Sequence, residues 1–136
     1  MKSLFKAFLI IVFSVSLLSC SEDETSVTNI EDKDNMAVNI GNDSYSVAAT
    51  TSDYNYNDSS AVFFSKNNIT ASISVVGMKQ GKVTLTVLGP NRIVLYTKTI
   101  GSQISATNEN FSGVPSKVFL KLENFTGQLA INLKGQ

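Results

Sequence analysis

From residue 36 onward, apolar and polar residues alternate with a period of two, the pattern of strands that bury one face. "MAVNI" puts Met36, Val38 and Ile40 on one side, and "SYSVAA" does the same with Tyr45, Val47 and Ala49. "NITASISVV" offers Ile69, Ala71, Ile73 and Val75 against Thr70, Ser72 and Ser74. "GKVTLTVL" contributes Val83, Leu85 and Val87, and "RIVLYTKTI" contributes Ile93 and Leu95 with Lys98 on the outside. "KVFLKLE" and "QLAINLK" complete the set with Val118, Leu120, Leu122, Leu129, Ile131 and Leu133. Alternation this regular leaves little room for helices.

Turn-forming residues separate the runs at "IGNDS" (40–44), "MKQGK" (78–82), "LGPNR" (88–92) and "NFTGQ" (124–128). The expected fold is all-β, an antiparallel two-sheet sandwich of eight or nine short strands over residues 36–136, immunoglobulin-like or jelly-roll-like. Adjacent Phe63 and Phe64 sit on opposite sides of an extended chain, so one of them leaves the core of its own sheet. Either that strand is covered on both faces, or an aromatic ring stands in solvent for a partner.

The beginning of the chain follows a different rule. "MKSLFK" is positively charged, and "AFLIIVFSVSLL" is an apolar run of twelve residues, about 18 Å long as a helix. A bilayer core is about 30 Å thick, so residues 1–19 read as an export signal rather than a span. The run ends in "LLSC", where Leu17, Ser19 and Cys20 resemble the lipobox of bacterial lipoproteins. That resemblance implies cleavage before Cys20, a diacylglycerol thioether on its sulfur and a membrane anchor as the protein's first partner. Two or more acyl chains hold a protein stably where one does not. Cys20 is the only cysteine, so no disulfide is expected and the domain stands on packing alone.

"SEDE" behind the cysteine resembles the acidic export signal of Bacteroidota lipoproteins, which implies display at the outer face of the outer membrane; the alternative is an ordinary solvated tether on a lipoprotein that faces the periplasm. Residues 20–35 carry six acids against Lys33, a net charge of −5, and read as a flexible tether. As a coil of about fifteen residues it would reach roughly 20 to 25 Å. The second half, "GKVTLTVLGPNRIVLYTKTI" and "FSGVPSKVFLKLENFTGQLAINLKG", resembles a small module recurrent in exported Bacteroidota proteins, with Pro90-Asn91-Arg92 where that module has a glycine-containing turn. The module brings no functional residues with it.

Charge and composition then exclude chemistry. Residues 36–136 carry eight bases and five acids, a net charge of +3 too sparse for the basic stripe that nucleic acid requires. The chain has no histidine and its only thiol is assigned to lipid, which removes the commonest general base, metal ligand and thiolate nucleophile. An enzyme is not expected, and neither is a cofactor.

One internal constellation remains, "DYNYND" at 53–58. Read as a polar loop, it presents oxygens from Asp53, Asn55, Asn57 and Asp58 around a bend, as calcium loops do, although Asp58 and Phe64 stand where an EF-hand needs Gly and Glu. The same loop sets Tyr54 and Tyr56 on one side of an extended segment beside Asp53 and Asn55, which suits a glycan or peptide ligand. The expected function is therefore a non-catalytic, lipid-anchored binding module for a glycan, peptide or protein. The alternative is a structural subunit whose strand edges pair with a neighbour.

Overall fold

The alternating runs become six strands of a single antiparallel sheet. A computed structural model describes residues 35–136, and the expected signal segment, Cys20 and all but the last residue of the expected tether lie outside them. The strands are β1 (Met36–Gly41), β2 (Ser44–Ala61), β3 (Asn68–Leu88), β4 (Val94–Ile100), β5 (Ile104–Ser112) and β6 (Lys117–Gly135). Their order across the sheet is β1-β2-β6-β3-β4, with β5 also paired to β3. β5 flanks the first half of β3 and β4 flanks its second half. The only helical turn among the described residues is a 3-10 turn at Pro90–Arg92.

Six strands replace the eight or nine expected because three of them are long: β2 has 18 residues, β3 has 21 and β6 has 19. The turns expected at 78–82 and 124–128 lie inside β3 and β6, and the expected loop at 53–58 lies inside β2. The turn-forming residues there make bulges instead of hairpins. Register slips occur at Thr51 to Tyr56 on β2 and at Val76 to Lys82 on β3, beside β6. Asp53, Asn124, Gly77 and Gly81 all take positive φ in these regions. A bulge adds one residue to one strand, bends it and exchanges its faces.

The burial pattern records each exchange. On β2 the inward set runs Tyr45, Val47 and Ala49, then shifts to Tyr54, Tyr56 and Ser60. On β6 it runs Val118, Leu120 and Leu122, then shifts to Phe125, Leu129, Ile131 and Leu133. On β3, two bulges at Gly77 and Gly81 bracket Met78, so the odd positions are inward both before and after. Gly81 cannot be replaced cheaply. A Cβ there would lie 2.5 Å from the carbonyl oxygens of Glu123 and Asn124, so the backbones of β3 and β6 need the missing side chain to approach.

Bent in register, the long strands double back. An 18-residue strand drawn straight would be about 60 Å long, yet the two ends of β2 meet. Asn42 forms a bridge with Phe63, and the Asp43 amide donates to the Phe63 carbonyl at 2.9 Å. The apolar residues of both halves join one buried cluster, with Phe125 fully buried at the bend. Burial, and then the neighbouring Tyr56 of the second half, push the hydroxyl of Tyr45 in the first half of β2 above its ordinary value.

The open rim between β4 and β5 shows where the outward assignment of Lys98 fails. A register slip at Val87 to Leu88 skips Leu95, so Tyr96, Lys98 and Ile100 become the inward set and Ile93 is exposed. Lys98 is tolerated there because Glu109 of β5 pairs with it across the rim. The Tyr96 hydroxyl donates to the same carboxylate at 3.0 Å, and the Tyr96 and Phe111 rings stack at 5.1 Å.

Candidate functional site

The segment 53–58 divides its labour differently from the sequence expectation. Asp53 and Asn55 are spent on the bend. The Asp53 amide donates to Thr126 Oγ1 at 2.8 Å and its carboxylate accepts from Gln80 Nε2 at 3.2 Å. Asn55 exchanges two hydrogen bonds with Asn124, each 2.9 Å long. These contacts fasten the bulge of β2 to those of β3 and β6.

Tyr54 and Tyr56 do lie side by side, with centroids 6.3 Å apart and planes 18° from parallel. Their inward faces pack on the core, however, and both are half-buried. Burial, the charge of Asp58 and the hydrogen bond to its carboxylate push the Tyr56 hydroxyl up to about 12. A ring committed to the core and to Asp58 offers little free face for stacking on a sugar.

The calcium arrangement is not formed by this segment. As part of a strand it places Asp53 and Asp58 five residues apart, on the order of 15 Å along the chain, instead of wrapping them around an ion. Among the described residues, no three carboxylates gather anywhere. Each acid has its own neighbour: Asp43 meets Ser65, Asp53 meets Gln80, Asp58 meets Tyr56, Glu109 meets Lys98, and Glu123 meets Lys82 and Lys121.

A different surface stands out. Six large apolar side chains are exposed among the described residues, and five of them, Phe63, Ile93, Val94, Val114 and Phe119, lie at one end of the sheet. This is the end opposite the bend, where β2 and β3 finish and β4 and β6 begin. The sixth, Val76, is at the bend. Phe63 is 70% exposed and Phe64 is buried, which resolves the adjacent pair in favour of the solvent-facing ring.

At the same end, a groove of about 420 Å³ runs between the 3-10 turn and the start of β6, lined by Leu88, Asn91, Arg92, Ser116, Lys117 and Phe119. Its position follows from local structure. The amide of Ser116 donates to the Leu88 carbonyl at 2.8 Å, tying the strand that leaves the turn to the strand that arrives. The Lys117 ammonium lies 5.7 Å from the centre of the Phe119 ring, a cation over an aromatic face. Neither Arg92 nor Lys117 forms an ion pair among the described residues.

The chain matches no protein-family model and no curated protein.

By contrast, the outer face of the first half of the sheet is flat and nearly uncharged. Asn39, Ser46, Asn132, Ser72 and Asn108 form one cross-strand row, and Ala37, Ala48, Ala130 and Ser74 form the next. Its shallow depression of about 500 Å³ has no aromatic or charged group to orient a ligand.

Sequence reading named Phe63 as a possible outward ring but missed Phe119 and Arg92. The only signal for Phe119 was its place between Val118 and Leu120, which put it on the solvent side of β6.

Proposed function

We propose that this protein is a non-catalytic binding module, moored to the outer membrane by lipid on Cys20 and displayed at the cell surface. The working surface is the end of the sheet that carries Phe119, Lys117 and Arg92. The doubled-back sheet supports a two-layer sandwich, in which β2, β3 and β6 count twice and β1, β4 and β5 once, giving nine strand segments.

The observation that carries this reading is the collection of five exposed apolar side chains at the end remote from where the chain comes in. The described chain begins at Asn35, whose carbonyl accepts from the Thr50 amide at 3.0 Å, and Met36 pairs with Ala49, both beside the bend. A tether leaving from the bend presents the opposite end outward. The alternative of edge-to-edge assembly has less support. The β4 and β5 edges carry Lys98 and Glu109 pointing inward, a device that discourages strand addition.

Photo-crosslinking in intact cells tests this directly. With p-benzoylphenylalanine in place of Phe119, irradiation should yield discrete adducts, whereas the same group in place of the exposed Val76 at the bend should not. Adducts from position 76 alone, or equal adducts from both, would contradict it.

A further inference from the structure

The apolar end described above also has a chemistry, and that chemistry selects a kind of partner; this step rests on that end being the working surface. Phe63, Ile93 and Val94 are each at least 59% exposed. Aliphatic side chains standing in water gain nothing from sugar hydroxyls or phosphates, but gain from another apolar surface. Exposed phenylalanine beside arginine is likewise the composition of protein interfaces.

Charge narrows the choice further. Lys66, Arg92, Lys117 and Lys134 lie at this end against two acids: Asp43, whose carboxylate already accepts from Ser65 and the Lys66 amide, and Asp58, next to the Ser59 partner of Phe119, which accepts from the Tyr56 hydroxyl. Four bases against two acids leave this end cationic, and both acids already accept hydrogen bonds within the chain. A second copy brought up by a two-fold axis would set this cationic end against the same cationic end, a like-charge apposition that disfavours self-association. A membrane is disfavoured because the tether joins at the other end.

We infer that this end docks a segment of a partner protein in which apolar side chains alternate with carboxylates, the apolar ones entering the groove beside Phe119 and the carboxylates meeting Arg92 and Lys117. The Lys117 ammonium over the Phe119 ring keeps a cation at the groove's edge, where an incoming carboxylate can reach it. Long-range attraction steers the approach, so the association weakens with added salt.

Fluorescence anisotropy on the full chain in detergent supplies the test, with five probes. These are a short synthetic peptide alternating leucine and aspartate, the same peptide with lysine for aspartate, the same with serine for leucine, polygalacturonate, and phosphatidylglycerol vesicles read without detergent by co-sedimentation of a chain that begins at residue 20 and carries Cys20→Ser, so that no acyl chain of its own can insert. The leucine–aspartate peptide should bind, lose at least about tenfold in affinity in Phe119→Ser and in the Arg92→Glu, Lys117→Glu double variant, and weaken as salt rises. Both variants alter exposed side chains, and an unchanged β-type circular dichroism spectrum verifies that they fold.

No binding by the leucine–aspartate peptide, or equal binding by its lysine or serine version, overturns the inference. Tighter binding of polygalacturonate or vesicles, lost in Phe119→Ser, would leave this end as the site and remove only its protein ligand. Binding of any probe that neither variant changes would remove both.

Discussion

The Asp43 carboxylate accepts a hydrogen bond from the Ser65 hydroxyl at 2.8 Å, across 22 residues of sequence. It also accepts from the amides of Ser65 and Lys66, so one side chain closes the loop made by the doubled-back β2. The hydrogen bonds from Ser65, the backbone one first, hold the Asp43 carboxyl below its usual range. A lowered folded-state value means that the stabilisation is present above the ordinary carboxylate value of about 4 and is lost as pH falls through the depressed one. Asp43→Asn tolerates the same positive φ but has no charge. It should melt below the parent at pH 7, with the gap closing as acid protonates the parent's carboxyl. A gap that is constant with pH would show that the charge contributes nothing.

The β4–β5 rim offers a second titration. Lys98, and after it Tyr96, hold Glu109 below its usual range by hydrogen bonding. Burial, and then Glu109 itself, hold the Tyr96 hydroxyl above its own. The Lys98 and Glu109 side chains are about one-third exposed, so solvent screens the pair. A double-mutant cycle of Lys98→Met and Glu109→Gln should return a coupling of about 0.2–1 kcal/mol, fully expressed above the ordinary carboxylate value and fading in acid. In Lys98→Met, an NMR titration should find the Glu109 carboxyl moved upward.

Two glycines separate a required conformation from an incidental one. Gly81 has φ +95° and its missing Cβ would strike the β6 backbone, whereas nothing lies within 4 Å of a Cβ on Gly101. Gly81→Ala should cost at least about 1–3 kcal/mol in urea unfolding, and Gly101→Ala should stay within about 0.5 kcal/mol of the parent. Equal midpoints would mean that β3 and β6 do not need so close an approach at the bend.

Tyr54 and Tyr56 should behave as packing residues. Replacing either by alanine should destabilise the domain by about 2 kcal/mol, part of the ~3–5 kcal/mol that a fully buried ring loses. Binding to a probe held at the opposite end should not change. In a spectrophotometric titration of the folded protein, the Tyr56 phenol should ionise near 12, where burial and Asp58 have moved it.

The sequence made the strand faces legible wherever an alternating run was uninterrupted. Ile69 through Val75, Val83 through Val87, Val118 through Leu122 and Leu129 through Leu133 are all buried on the expected side. What it concealed was continuity. Gly77, Gly81, Asn124 and Gly127 carry the same residue signals whether a chain reverses or merely bulges, and only the register of neighbouring strands decides between the two. β5 escaped notice because its inward positions hold Thr107 and Glu109, polar residues admitted at a rim where Lys98 provides a counter-charge.

The candidate site was harder to see for a related reason. "DYNYND" drew attention by composition, yet its polar groups are consumed by the bend. The exposed apolar end is assembled from five side chains contributed by four separate parts of the sequence. Each is an ordinary residue in a short run, and only the pairing of the ends of β2 and β3 with the starts of β6 and β4 brings most of those parts to one end.

The outward presentation of that end depends on mooring through the N-terminal tether, so the chemistry at Cys20 tests it most directly. Intact mass spectrometry of the protein extracted from membranes should give a chain that begins at Cys20 and carries a diacylglycerol thioether. Cys20→Ser should release the protein from the membrane fraction. A mature chain with an unmodified cysteine, or one that stays membrane-bound after Cys20→Ser, would contradict it.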